Sequence, residues 1–354
     1  MAVAAQPATD MLSSWTAVTR AVALLTVAVS VLLTAFAWPS VRSSVHDVPI
    51  AVAGPAPAVR QISAAVAERL PDAFEVTEVA DTAAAEQLIL DRRVYGAIDV
   101  SSGTPRVIVA SAASTAVAQA LGSIATALSQ PQAQSTSTTP PVHDLVPLPA
   151  DDPRGAGLSA GALPLVMGGL LAAVLLARLL HGTTRRISGA LAFAVTGGLA
   201  VTAILQFWLG SLTGSYWANT GAVALTVAAT SLTVLGLQSL LGYAGTGLGA
   251  ATMMLIGNPL SGTATAPEML PGWSGTLGQL LPPGAGGQLL RSTAFFAGHG
   301  ATRPVTVLAT WLTLGVLLCL AGSLRPRRPA HRSVTTTAQP DTQAIALRDS
   351  DHRR

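Results

Sequence analysis

Six apolar stretches, each near the roughly 20 residues that a membrane-crossing helix needs, constrain this chain more than any other feature. They run from Ala21 to Trp38, Leu158 to Leu180, Ile187 to Leu212, Trp217 to Leu241, Gly242 to Leu260 and Pro304 to Leu324. The fifth is the weakest and is rich in Gly. Of the 354 residues, 50% are hydrophobic and only 10% charged, against about 25% charged in soluble domains. The expected fold is a mainly α membrane protein with six transmembrane helices, one plus five, and an inserted extracytoplasmic α+β domain.

The expected order along the chain is a cytoplasmic N-terminal segment over 1–19, the first transmembrane helix over 20–38 and an α+β domain over 39–129. A Pro/Ser/Thr-rich linker over 130–157 follows, then transmembrane helices two to five over 158–260. A re-entrant or interfacial hairpin covers 261–303, the sixth helix 304–324, and a disordered basic cytoplasmic tail 325–354. Basic residues near helix ends set orientation. Arg325, Arg327, Arg328 and Arg332 follow the sixth run, Arg185 and Arg186 follow the second, and Arg20 precedes the first. All three sets agree with both termini inside a plasma membrane. Met11 to Thr19 has the spacing of an interfacial helix, with Leu12 and Trp15 on one face. Ala35-Phe36-Ala37 resembles a signal-peptidase site, but the run before it exceeds the 7–15 residues of a signal-peptide core. An uncleaved helix is favoured; cleavage leaves five helices in the same orientation.

Between the first two runs the pattern changes. Val48 to Ala53 reads as a buried strand, and Ile62, Val66 and Leu70 mark a helix over 58–70. Phe74 to Val79 alternates as a strand. Thr82 to Arg92 is a helix with Thr82 as its cap. Tyr95–Val100 and Arg106–Ala110 are strands around the turn at Ser101-Ser102-Gly103-Thr104-Pro105, and Ser114 to Leu128 is a helix. The order β-α-β-α-β-β-α implies a small sheet with helices packed on it. Residues 130–153 read as extended, mobile linker. In the 261–303 hairpin, Leu277–Leu281 and Gln288–Phe296 are apolar enough to lie in or against the membrane.

Several chemistries are excluded. The single cysteine, Cys319, rules out an internal disulfide. No two of the six histidines have metal-ligand spacing, and no cofactor is expected. All basic side chains other than His are Arg, so no G-x-x-x-x-G-K-[ST] loop exists. Aromatic residues, at 4%, are too few for a base-stacking surface, so no nucleic acid is expected. Gly157-Leu158-Ser159-Ala160-Gly161 matches G-x-S-x-G, but a Pro-rich linker precedes it where a nucleophile elbow needs a strand. Gly272-Trp273-Ser274-Gly275 is similar to the Gly-x-Ser-Gly of rhomboid proteases, yet the nearby His299 falls in the hairpin, not in the sixth helix. No catalytic residue is assigned and the chain is not expected to be an enzyme.

Gln206, Gln238 and Asn258 are the amide side chains singled out within the apolar runs. Amides there bond across helices; as candidate translocation contacts they join Glu268 and Arg291, whose expected pairing in the hairpin reads as a rim ion pair or, more sharply, as a gate. Gly245 and Gly249, at i and i+4, suit close helix packing or a dimer contact.

Two segments carry a family resemblance. Arg93-Val94-Tyr95-Gly96-Ala97-Ile98-Asp99-Val100 resembles a strand of the extracytoplasmic domain of type-2 ABC exporter permeases, and of their phage-infection-protein branch most closely. Gly257-Asn258-Pro259-Leu260-Ser261-Gly262 to Leu270-Pro271, then Leu281-Pro282-Pro283-Gly284 to Leu290-Arg291, resembles that family's helix-five exit and hairpin. The resemblance spans most of Arg20 to Leu324. It implies export or binding of an apolar or amphipathic substrate, contact with membrane lipid, a homodimer or heterodimer, and a separate cytoplasmic ATPase. The link at about His181 to Arg186 departs from the family, being too short for a coupling helix. The alternative is a membrane-anchored surface interaction protein, binding an envelope component or acting as a phage receptor, without transport.

Overall fold

The structure, a computed structural model, describes residues 15–129 and 142–324. The N-terminal part of the expected interfacial helix, most of the linker's Pro/Ser/Thr tract and the basic tail lie outside them.

Among the described residues, five helices are long and apolar enough to cross a membrane, as befits a membrane protein. They are α1 (Trp15–Val41), α5 (Ala156–Leu179), α6 (Thr183–Ala203), which continues as a π-helical turn over Ile204–Trp208, α7 (Tyr216–Leu241) and α11 (Thr302–Leu324). The fifth expected run differs. Gly242, at φ 64°, breaks the chain after α7, and α8 (Tyr243–Ala250) passes into a π-helical stretch over Ala251–Gly257. That helical path is about 22 Å long at 1.5 Å per residue, short of the roughly 30 Å hydrocarbon core.

Helix α7 is the axis of the bundle. In its most apolar window 78% of residues are buried, against 0% in α1. Its core side chains, among them Val223, Val227 and Leu232, pack with residues of α5, α6 and α11. Helix α1 passes unbroken through Ala35-Phe36-Ala37 and buries only Pro39. The link between α5 and α6 is Leu180–Gly182. Arg186, in the first turn of α6, donates to the Leu180 carbonyl at 2.9 Å and the Ala177 carbonyl at 2.7 Å. A cation there caps the free carbonyls of α5 and opposes the negative end of its dipole.

Between α1 and α5 lies a sheet domain. Its described elements are β1 (Val48–Ala53), α2 (Ala56–Arg69), β2 (Phe74–Val79), α3 (Thr82–Leu90), β3 (Gly96–Asp99), β4 (Arg106–Val109), α4 (Thr115–Ser129) and β5 (Val142–Asp144). The strand order is β2-β1-β3-β4-β5. Strand β1 runs parallel to β2 and β3, β4 is antiparallel to β3, and β5 is parallel to β4. The parallel pairs follow from the crossovers, α2 and α3 for the neighbours of β1 and the connection containing α4 for β4 and β5. Strand β5 falls within the stretch expected to be linker: it adds a fifth strand that the flanking Pro and Thr residues disguise.

Alternation along β1 sends Ile50 and Val52 to one face and Ala51 and Ala53 to the other. The larger pair packs with Val59 and Val66 of α2 and Val117 and Leu121 of α4. The alanines make room for Ile89 of α3. Asp81, not Thr82, caps α3: its carboxylate accepts from the Ala84 amide at 2.8 Å. Thr82 is already helical, and its hydroxyl instead donates to Asp99 at 2.9 Å. Asp81→Ala should lower stability by about 1 kcal/mol, read as an earlier midpoint in denaturant titrations followed by circular dichroism.

Candidate functional site

The 261–303 hairpin holds a 3-10 turn at Pro267–Met269, α9 (Ser274–Gln279) and α10 (Pro282–Phe295). Helix α10 starts six residues before the expected apolar stretch, because Pro282 and Pro283 suit the first turn, where an amide donor is not needed. It is buried in protein. Ala285, Leu289 and Leu290 pack in the α7 core. Ala266 and Met269 belong to the core on one face of the sheet, and Phe296 to the core on the other. The hairpin is thus a wedge shared by the bundle and the sheet domain.

Polar contacts lock the wedge. Arg92 follows α3 in the left-handed conformation, at φ 59°. Its amide donates to Ile89 and that of Arg93 to Leu88, the two bonds of a Schellman helix end, whose left-handed position glycine usually takes. From there the Arg92 guanidinium donates to the Gln288 carbonyl at 3.0 Å, to Gln288 Oε1 and to Ser292 Oγ. It also lies 5.2 Å from the centre of the Phe296 ring. Burial lowers the Arg92 pKa, while Tyr95 and Glu268 act to raise it. The Tyr95 hydroxyl donates to Glu268 at 2.8 Å, and burial, then Glu268, push its pKa upward, so it stays a donor. Ser114 Oγ donates to the Thr265 carbonyl at 3.0 Å, and His299 Nδ1 meets Asp91 at 2.7 Å.

Two larger cavities flank this lock. A cleft of about 350 Å³ lies between the sheet domain and the hairpin, lined by His46, Arg92, Tyr95, Glu268, Gln288 and Arg303 among others. A cavity of about 310 Å³ lies between the ends of α1 and α5 and the loop after Gly257. Its lining mixes apolar residues, among them Phe36, Pro39, Ala162 and Leu163, with the polar Ser40, Ser43, Ser159 and Asn258.

Of the candidate contacts, Asn258 lines the second cavity and Glu268 the first. Arg291 is 6% exposed and donates to the Thr263 carbonyl at 3.0 Å. The expected Glu268–Arg291 pair is absent from the ion pairs of the described residues. Glu268 sits on the 3-10 turn facing Tyr95, whereas Arg291 turns to the loop before it. Gln206 and Gln238 line neither cavity. Gln206 ties α6 to α7: it donates to the Gly214 carbonyl at 3.1 Å and accepts from Asn219 Nδ2 at 3.0 Å. Gln238 keeps a buried, unpartnered Oε1. Gly245 and Gly249 lie on the α8 face against α7. A Cβ on Gly245 would come within 2.0 Å of the Leu237 carbonyl oxygen, so these glycines serve packing within the chain.

The serines of the two protease-like motifs are engaged locally. Ser159 Oγ donates to the Gly155 carbonyl at 3.3 Å on the first turn of α5, and Ser274 Oγ to the Pro271 carbonyl at 2.7 Å. Arg92, Tyr95 and Asn219 are the residues that sequence reasoning passed over. The signal for Arg92 was a cation just past a short amphipathic helix, where glycine is usual. No family model matches the chain, and neither a curated protein nor a solved structure matches it.

Proposed function

We propose that the chain is a permease-like protein of the plasma membrane that binds, and in its assembled form exports, an apolar or amphipathic substrate, as type-2 ABC exporter permeases of the phage-infection-protein branch do. The cavity between α1 and α5 carries the reading. Its mixed apolar and hydroxyl-bearing lining suits an amphiphile, and α1, with no buried residue along its apolar window, leaves a lateral way in. Six crossings with both termini cytoplasmic are part of the proposal. In their support, α8 starts against the end of α7 at Leu237, and the chain beyond it reaches Asn258, beside Pro39 and Ser159. Without a phosphate-binding loop of its own, the ATP-driven form draws energy from a separate cytoplasmic ATPase, and a second permease subunit completes it.

Ala162→Trp tests the cavity. The side chain of Ala162 faces this cavity and a smaller one beside α10, so an indole fills the space. Labelling by a photoactivatable alkyl probe should fall about tenfold, the equivalent of some 1.4 kcal/mol, while the purified protein stays folded by circular dichroism. Undiminished labelling of the α1 and α5 peptides sinks the reading.

A second reading, a surface interaction protein, is favoured by the polar cleft of about 350 Å³ at the sheet domain. Arg303, exposed at the start of α11, lines it. Arg303→Ala that abolishes binding of envelope material and leaves transport intact supports this reading; lost transport alone opposes it.

A further inference from the structure

Among the described residues, Arg291 is a buried cation without a counter-ion. It is 6% exposed, yet its one hydrogen bond runs from Nη2 to the Thr263 carbonyl, and its Nε is buried with no partner. Neither ion pair among the described residues includes it. Burial, then the neighbouring Arg92, lower its pKa to about 10, which leaves it charged at neutral pH. A charge so placed is costly unless something pairs with it. Of the five N–H donors of a guanidinium, most are left for a ligand.

A small cavity of about 20 Å³ lies at this side chain, lined by Arg291, Arg154, Ser111, Thr115, Ser159 and Thr265 among others. It is large enough for about one water-sized group. Arg154 brings a second cation, exposed and without an ion-pair partner among the described residues. Ser159, Thr263, Ala264 and Thr265 also line the 310 Å³ cavity. The small polar chamber and the larger, partly apolar one therefore share a wall.

We propose that Arg291 and Arg154 bind the anionic head, a phosphate or carboxylate, of an amphiphile whose chain lies between α1 and α5, one head oxygen entering the small chamber and the rest of the head lying in the larger cavity that shares its wall. This rests on the amphiphile reading above and adds the sign of the head. Guanidinium forks bond oxyanions with paired, charge-assisted hydrogen bonds, and the bound head supplies the charge that Arg291 lacks.

The test uses the full chain in phosphatidylcholine nanodiscs and two photoactivatable probes of equal chain length, an alkyl phosphate and an alkyl glucoside. Cross-links are located by mass spectrometry. The wild type should be labelled by the phosphate about tenfold more than by the glucoside, at peptides around 36–43 and 158–165. Arg291→Gln should remove that preference and keep glucoside labelling. Arg154→Gln, at an exposed site, should reduce the preference several-fold and carries the test if Arg291→Gln does not fold. Equal labelling by both probes in the wild type overturns the proposal and leaves the amphiphile reading standing. A preference that survives both substitutions overturns it too. Inorganic phosphate competing as well as unlabelled alkyl phosphate would show a free-anion site instead, and overturns it. No labelling by either probe overturns this proposal and the amphiphile reading together.

Discussion

Arg92→Ala should free the sheet domain from α10, and Arg92→Gly should do less harm. Alanine removes the three hydrogen bonds to Gln288 and Ser292 and the stacking on Phe296. Bonds from a charged donor are worth about 1.5–3 kcal/mol each, and they act together, so a loss of about 3 kcal/mol is expected. Alanine also keeps the left-handed backbone that a Cβ disfavours, whereas glycine relieves it, recovering roughly 1 kcal/mol. In most sites glycine is the worse substitute; here the order reverses. Hydrogen exchange should show the α10 amides and the 96–99 strand deprotected together in Arg92→Ala. Equal stability of the two variants would falsify the assignment of Arg92 to the strained helix end.

Gly278→Ala should be the most damaging single methyl in the chain. A Cβ there would stand 1.6 Å from the Leu260 carbonyl oxygen, and one on Gly275 would stand 1.8 Å from that of Pro267. Both glycines lie on one face of α9, pressed on the loop that opens the hairpin. The obstacle is backbone, so no rotamer change relieves it. The helix must move, and the Gln279 Nε2 bond to the Ser261 carbonyl, 2.8 Å long, goes with it. Overpacking of this kind costs about 3 kcal/mol or more. Gly247→Ala is the matched control. It sits in α8 with nothing within 4 Å of its would-be Cβ, and alanine there should stabilise by up to about 1 kcal/mol. Thermal unfolding of the two variants in the same detergent should move in opposite directions.

Elements whose side chains alternate or recur toward one core were legible in the sequence. Phe74–Val79 has the same ends in the sequence and in the structure, because its period of two is unbroken and turn residues bound it. Strand β5 was not legible: at three residues, Val142–Asp144 is too short for a period, and it owes its extended form to β4 alone. The weak fifth run folds as α8 and a π-helical stretch, its glycines letting α8 press on α7, a contact that hydropathy does not encode. At the site, the sequence pointed to the hairpin with Glu268 and Arg291 in it, and to Asn258 just before it. It paired Glu268 with Arg291 by opposite charge alone. Tyr95, 173 residues before Glu268 in the chain, holds that carboxylate instead, and only the fold brings the two together.

The wedge described above also bears on how such a chain can be divided. Ala266 and Met269 complete one core of the sheet domain and Phe296 the other, while β5 lies beyond the 39–129 boundary drawn from sequence. A fragment cut at that boundary would lack an edge strand and carry an apolar hole on each face. A chain without the domain would bare the matching side of the hairpin. Domain and hairpin therefore have to be moved together: a graft from another protein has to bring both, although helices α5 to α8 separate them in the chain.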